Sequence, residues 1–207
     1  MTQDQQGRSG YHHGNLREAL ISAALDMIAQ RGLAGLAIAE IARAVGVSPA
    51  APYRHFRDRN ALIAEVARRG FESLAADFEQ AWAAGRPDPV SALERCGRAH
   101  LAFAAREPAA YAAMFDGAVE PDDPGVQQAS NAAFAVLRRG ADAACALAEG
   151  PRPPPLMVAL HIWSLSHGIA SLYLGVRSRQ LPMTPEALLE AGLLLYLQSL
   201  GIARNKP

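Results

Sequence analysis

The side chains best suited to chemistry lie close together between Ser48 and Arg59, in the run SPAAPYRHFRDR. Tyr53, His55 and Arg59 carry donors of the kind that hold phosphate oxygens. Arg54 has the planar fork that matches O6 and N7 of guanine. Ser48, Pro49, Ala50 and Ala51 are small, so a backbone bearing them can come near base edges, and the alanines can meet thymine methyl groups. This chemistry is duplex recognition rather than bond making.

A second set lies in the C-terminal half. Trp163 and His167 are i, i+4 neighbours and share one helix face. His167 either fixes core packing or offers a polar atom to a small molecule in an apolar pocket. Phe103, Tyr111, Met114 and Phe115 either line that pocket or fill ordinary core. His100, His161 and His167 lack the carboxylate or cysteine company of a metal site, and no cofactor is expected. Cys96 and Cys145 are too few and too far apart for a metal framework, which points to a reduced, cytoplasmic protein. The chain offers no strand-borne phosphate loop, nucleophile elbow or HExxH pattern, so an enzyme is not expected.

The elements that must position the first set are short helices. Ile38 to Val45 sets Ile41, Ala42 and Val45 on one face, and Gly46 stops it where positive φ is needed. Ser48–Pro49 reads as a new helix start, predicting a helix from Pro49 to His55 with Pro52 and Phe56 turned inward. Two short helices across a glycine turn are the sequence form of a helix-turn-helix. Before them, Asn15 and Glu18 look like a capping box for a helix in which Leu16, Leu20, Ala23, Ala24, Met27 and Ile28 repeat up to Gly32. After them, Asp58 caps a helix running to about Trp82, with Arg59 at its first turn, where the free N–H groups could help clamp a phosphate.

This pattern resembles the TetR family of bacterial transcriptional regulators. The resemblance is carried by the helix ending at Gly32, then IAEIARAVGVS, YRHF, Arg59 and Leu62, over residues 11–70. Two positions depart from it: Ala37 stands where the family usually has a capping Ser or Thr, and Pro52 where it usually has an aliphatic residue. WSLSHG, with Trp163, His167 and Gly168, is similar to the Trp-His-Gly signature of one C-terminal subclass. The resemblance implies an all-α protein with a three-helix head and a larger helical domain for ligand binding and dimerisation. It implies a homodimer on a palindromic DNA operator, released when a small-molecule effector shifts the spacing of the heads. The expected organisation is an arm over 1–14, a DNA-binding domain over 15–70 and an effector and dimerisation domain over 71–207. An all-α binding protein or enzyme without a DNA role is the competing class.

Charge and hydropathy agree with that division. Residues 1–70 hold nine arginines against six acids, a surplus of three, although the 207-residue chain has no formal net charge. After a Gly85–Pro89 break, everything reads helical between proline and glycine punctuation. The segment 156–175 is long and apolar enough to raise the question of a membrane, but its His and Ser residues favour burial in protein. With the last helix after Thr184–Pro185, it is apolar on more than one side. The two helices are therefore expected to form a four-helix interface with a second copy, Ala191 and Gly192 allowing close approach.

Overall fold

A computed structural model describes residues 16–115, 123–175 and 182–202. Among these are eight α-helices, three short 3-10 turns and no strand. The expected capping residue Asn15 and the arm over 1–14 lie outside the described residues. Helix α1 (Leu16–Arg31) buries Leu20, Ile21, Ala24 and Ile28, one apolar stripe at helical spacing, and Gly32 follows at φ 71°. Helix α2 (Ile38–Val45) buries Ile38, Ile41 and Ala42 and begins at Ala37 with no side-chain cap. It ends at Gly46 in the left-handed conformation (φ 78°), which lets Val47 N–H return to the Ala42 carbonyl at 2.9 Å.

The predicted helix from Pro49 to His55 is not α-helical. Residues 49–51 form turn and bend, and Pro52–Arg54 form a single 3-10 turn. Ala51 N–H donates to Ser48 O at 3.0 Å, one residue tighter than an α-helix. Pro52 has no N–H to give that carbonyl, and its ring crowds it. His55 and Phe56 then both donate to Pro52 O, at 2.9 and 3.0 Å. Pro52 and Phe56 do turn inward as the sequence predicts.

Helix α3 (Arg59–Trp82) joins head to body. Asp58 caps it by accepting from Ala61 N–H at 2.8 Å. Its 24 residues span roughly 36 Å. Its first turns pack on α1, and its later ones on α4 (Pro89–Arg106), α5 (Pro108–Phe115) and α6 (Pro124–Cys145). The expected boundary at residue 70 thus falls inside a continuous helix. A side chain at Gly70 would put its Cβ 2.6 Å from Met114 Sδ, so α5 crosses α3 closely there. Beyond Trp82, Ala83, Ala84 and Gly85 take successive left-handed φ values of 45°, 57° and 74°. Arg95 of α4 holds this junction, donating to Ala81 O at 3.0 Å and to Arg86 O. Helix α7 (Pro155–Gly175) and helix α8 (Pro185–Ser199, capped by Thr184) complete the body.

One ion cluster fastens α1 to α3. Glu65, only 8% exposed, accepts from Arg17 at 2.9 Å, Arg68 at 2.8 Å and Arg69 at 2.7 Å. Arg69 also reaches Glu18 with both ends of its fork. Burial pushes the Glu65 carboxyl up, but the hydrogen bonds from Arg68, Arg17 and Arg69 outweigh it and hold the group at about 2. Because this folded value lies below the ordinary 4.5, the stabilisation is present above that pH and lost as pH falls toward 2. Glu65→Gln should therefore lower stability on the order of 2 kcal/mol near neutral pH. The gap to the unmodified chain should close on acidification, as thermal unfolding at stepped pH will register.

Candidate nucleic-acid interface and effector site

The head presents its predicted contact residues on one short, anchored turn. Ser48, Pro49, Ala50, Tyr53, Arg54 and His55 are exposed, and Ala51 is half-buried. Beneath them Pro52 and Phe56 enter the core, with the Arg17 guanidinium 5.4 Å from the Phe56 ring. Tyr53 is 56% exposed, high for a tyrosine. Among the described residues Arg57 pairs with Asp58 at 3.1 Å, whereas Arg43 and Arg54 have no ion-pair partner.

Arg59 is engaged differently from the sequence expectation. Its Nε donates to Leu36 O at 2.9 Å and its Nη2 to Leu33 O. These carbonyls belong to the 3-10 turn Leu33–Gly35 and its end, between α1 and α2. Through Nε and Nη2 the guanidinium therefore stitches the head internally. No spacing in the sequence reveals this, because the accepting carbonyls lie 23 and 26 residues away.

In the body, Tyr111, Phe115, Trp163 and His167 of the predicted pocket come together around His100. Ring centroids lie 4.4 Å apart for Phe115–His167, 4.7 Å for Tyr111–Phe115 and 5.4 Å for His100–Trp163. Phe78 and Phe134 add edges to Trp163 at 6.3 and 5.9 Å. The Tyr111 hydroxyl bridges two imidazoles, 3.0 Å from His100 Nε2 and 2.7 Å from His167 Nδ1. His167 Nε2 in turn lies 3.4 Å from Ser171 Oγ at the surface. Phe103 is fully buried at the margin, 6.4 Å from Tyr111, and Met114 turns away to Gly70 of α3.

His100 is the member sequence reasoning undervalued. It is fully buried, and among the described residues its Nδ1, like Ser166 Oγ, has no hydrogen-bond partner. Burial first, and His167 second, push its pKa down to about 3, so the ring is neutral. The usable signal was a histidine inside the apolar repeat Leu93, Cys96, Gly97, His100, Leu101, Phe103 of α4. Cys96 is buried too, and its thiol is pushed up to about 12 by burial, which leaves it inert. Among the described residues no three His, Cys, Asp or Glu side chains gather as metal ligands would.

The outer side of α7 and α8 is apolar and uncovered. Leu156, Met157, Leu160, Leu172, Leu174, Leu194 and Leu195 are exposed. Among the described residues α7 alone is long and apolar enough to cross a membrane, and 33% of its apolar window is buried within the chain. Gly192 does not face this outer side alone. A Cβ there would meet Leu165 Cδ2 of α7 at 3.0 Å, so the glycine also seats α8 on α7 within one chain.

Two family models match the chain. "Bacterial regulatory proteins, tetR family" covers residues 20–66, and "Tetracyclin repressor-like, C-terminal domain" covers 93–196, half of the chain. The second match includes Trp163, His167 and Gly168. The HTH-type transcriptional regulator BetI of Rhizobium meliloti (strain 1021) is 34% identical over 109 residues, which are 52% of this chain and 54% of that one. The HTH-type transcriptional regulator AcrR of Shigella flexneri is 35% identical over 78 residues, 37% of this chain and 36% of that one. The matched stretches thus span about half or less of these curated relatives. A structure from Rhodococcus sp. RHA1, described as a protein with unknown function, superposes with a TM-score of 0.80 at 29% identity. It covers 94% of this chain and 100% of its own.

Arg59, at the start of α3, and Arg57, just before its cap, should respond differently to truncation. Arg59→Ala removes two charge-assisted bonds to part-buried carbonyls and should cost about 2 kcal/mol of stability. Arg57→Ala, which loses one exposed ion pair, should stay within about 0.5 kcal/mol. Denaturant melts of both variants compare them directly.

Proposed function

Because the chain belongs to the TetR family of bacterial regulatory proteins, we propose that it is a homodimeric transcriptional regulator acting on DNA in the cytoplasm. The observation that carries this is the exposed turn over Ser48–His55, held from below by buried Pro52 and Phe56. Such a turn can enter a major groove without deforming. Ser48, Pro49, Ala50, Ala51 and Arg54 would face base edges, while Tyr53 and His55 reach phosphates. Arg59 would serve through the rigidity it gives the head. Arg54 is the side chain able to read guanine, and its freedom from any ion pair among the described residues leaves it available.

The uncovered apolar side of α7 and α8 supports a second copy as its occupant, in preference to a bilayer. The polar groups of α7 would be awkward in lipid, whereas a four-helix interface has room for them. Two heads related by a two-fold axis require a roughly palindromic operator. A small-molecule effector held in the body among Tyr111, Phe115, Trp163 and His167, with His100, would favour head spacings that no longer fit, releasing repression.

Footprinting on DNA beside the gene tests the DNA role. Protection of a palindromic site, weakening steeply with salt, is the expected result. Occupancy without sequence preference at low salt would instead favour a small-molecule-binding protein with no DNA role. Arg54→Ala should lose about 1–3 kcal/mol at its own base position and relax preference there, while Tyr53→Phe weakens all sequences alike. Leu195→Glu, at a residue 68% exposed in the single chain, should yield monomers in sedimentation and abolish the two-half-site footprint.

A further inference from the structure

Resting on the reading of α7 and α8 as the face that meets a second copy, we propose that dimerisation is acid-sensitive through His161. The second copy seats on the neutral imidazole, and protonation of that ring releases the pair.

Two contacts draw the seam between α7 and α8. His161 lies face to face on Tyr196, with ring centroids 3.5 Å apart and planes 12° apart. One turn along, a Cβ at Gly192 would stand 3.0 Å from Leu165 Cδ2. The helices are therefore antiparallel, with position 161 beside 196 and position 165 beside 192. Both rings of the stack are half-buried, and the residues flanking them are exposed: Leu160 and Ser164 on α7, Leu195 and Ser199 on α8. The imidazole thus sits partway across the uncovered apolar face, between Leu160 at 48% and Leu195 at 68% exposure. A second copy laid over both helices covers it. The Tyr196 hydroxyl is buried without a partner among the described residues, and it is the ring face of this tyrosine that meets His161.

The charged groups on the helices around this stack are engaged elsewhere. From α8, Tyr196 itself faces His161. From α6, Cys145 acts on Tyr196, and Asp142 pairs with Arg152 at 2.9 Å. From α4, Arg98 pairs with Glu94 at 3.0 Å and with Glu190 of α8 at 2.8 Å. None of these charges shifts His161; burial alone pushes its pKa down. The cation is thus already disfavoured in the single chain, and an apolar cover removes more water from it. The ring therefore takes a proton more readily in the single chain than in the dimer. Dimer strength is complete above the single-chain value, which lies below 6.5, and falls as pH drops through it, with one proton per subunit. Glu65, held at about 2, and His100, pushed down to about 3, keep their charge states near pH 5, so neither accounts for a change there.

Sedimentation equilibrium of the full chain without DNA, at about pH 7.5 and about pH 5, reads the dimer dissociation constant, with far-UV circular dichroism alongside. That constant should rise about tenfold or more on acidification. His161→Phe keeps an aromatic face on Tyr196 and cannot take a proton, so its dissociation constant should change by less than about threefold. His161→Gln, polar and uncharged, should be equally flat, which separates loss of the proton from gain of apolar surface. Helix content should hold in all three proteins at both pH values. An unchanged constant in the unmodified chain, an equal rise in either variant, or loss of helix content on dissociation overturns the proposal. Monomers at both pH values with helix content intact overturn the interface reading as well. Equally strong dimers at both pH values overturn the acid sensitivity alone and leave that reading standing.

Discussion

A single carboxylate, buried under three guanidinium groups, makes the head behave as one body. Glu65 draws Arg17 from α1 and Arg68 and Arg69 from its own helix, and Arg69 hands the contact on to Glu18. Burying one charge alone would be prohibitive, but here the desolvation is outweighed by several charge-assisted bonds to one group. Arg59 adds a second fastening by filling the carbonyls of the turn between α1 and α2. The exposed turn beyond α2 can then be short, because its floor does not move.

Rigidity at that end matters because α3 continues without a break into the body, and α5 lies across it. Helix α5 supplies Tyr111 and Phe115 to the ring cluster, while Met114 and Ala110 pack against Gly70 and Phe115 against Phe71. It packs on α1 as well. Eight residues thus touch the ring cluster, the connecting helix and the head together. A change in how α5 sits has a direct mechanical route to α1 and α3, with no relay of distant side chains required.

Local signals were legible in the sequence, and distant partners were not. The stop at Gly46, the caps at Asp58 and Thr184 and the inward Pro52 and Phe56 all follow from spacing over a few residues. So did the full run of α3 to Trp82 and the surplus of apolar surface on α7 and α8. The helix expected after Ser48 became a 3-10 turn because the cost of Pro52 depends on which carbonyl it crowds, and that register was set too loosely. Arg59 was expected to reach a phosphate, and its two carbonyl partners, brought in by the fold from 23 and 26 residues away, could not be foreseen. His100 was passed over for a similar reason: a histidine without metal company says nothing until Tyr111 and His167 arrive from other helices. Glu65 stood at i, i+3 and i, i+4 from Arg68 and Arg69, a spacing that forecasts pairs on α3, but Arg17 and Glu18 join only through tertiary packing.

The left-handed run at Ala83, Ala84 and Gly85 has a consequence for how such a chain can diverge. Alanine accepts this conformation at a cost of about 1–2 kcal/mol per residue. The angle between α3 and α4 is set by three backbone torsions and the Arg95 clamp together with the packing between the two helices. Under the proposed effector role, substitutions on the inner face of α4, where His100 sits, would change the pocket while this junction stays as it is. In that reading, the shape of the pocket and the direction of the lever are held by different residues.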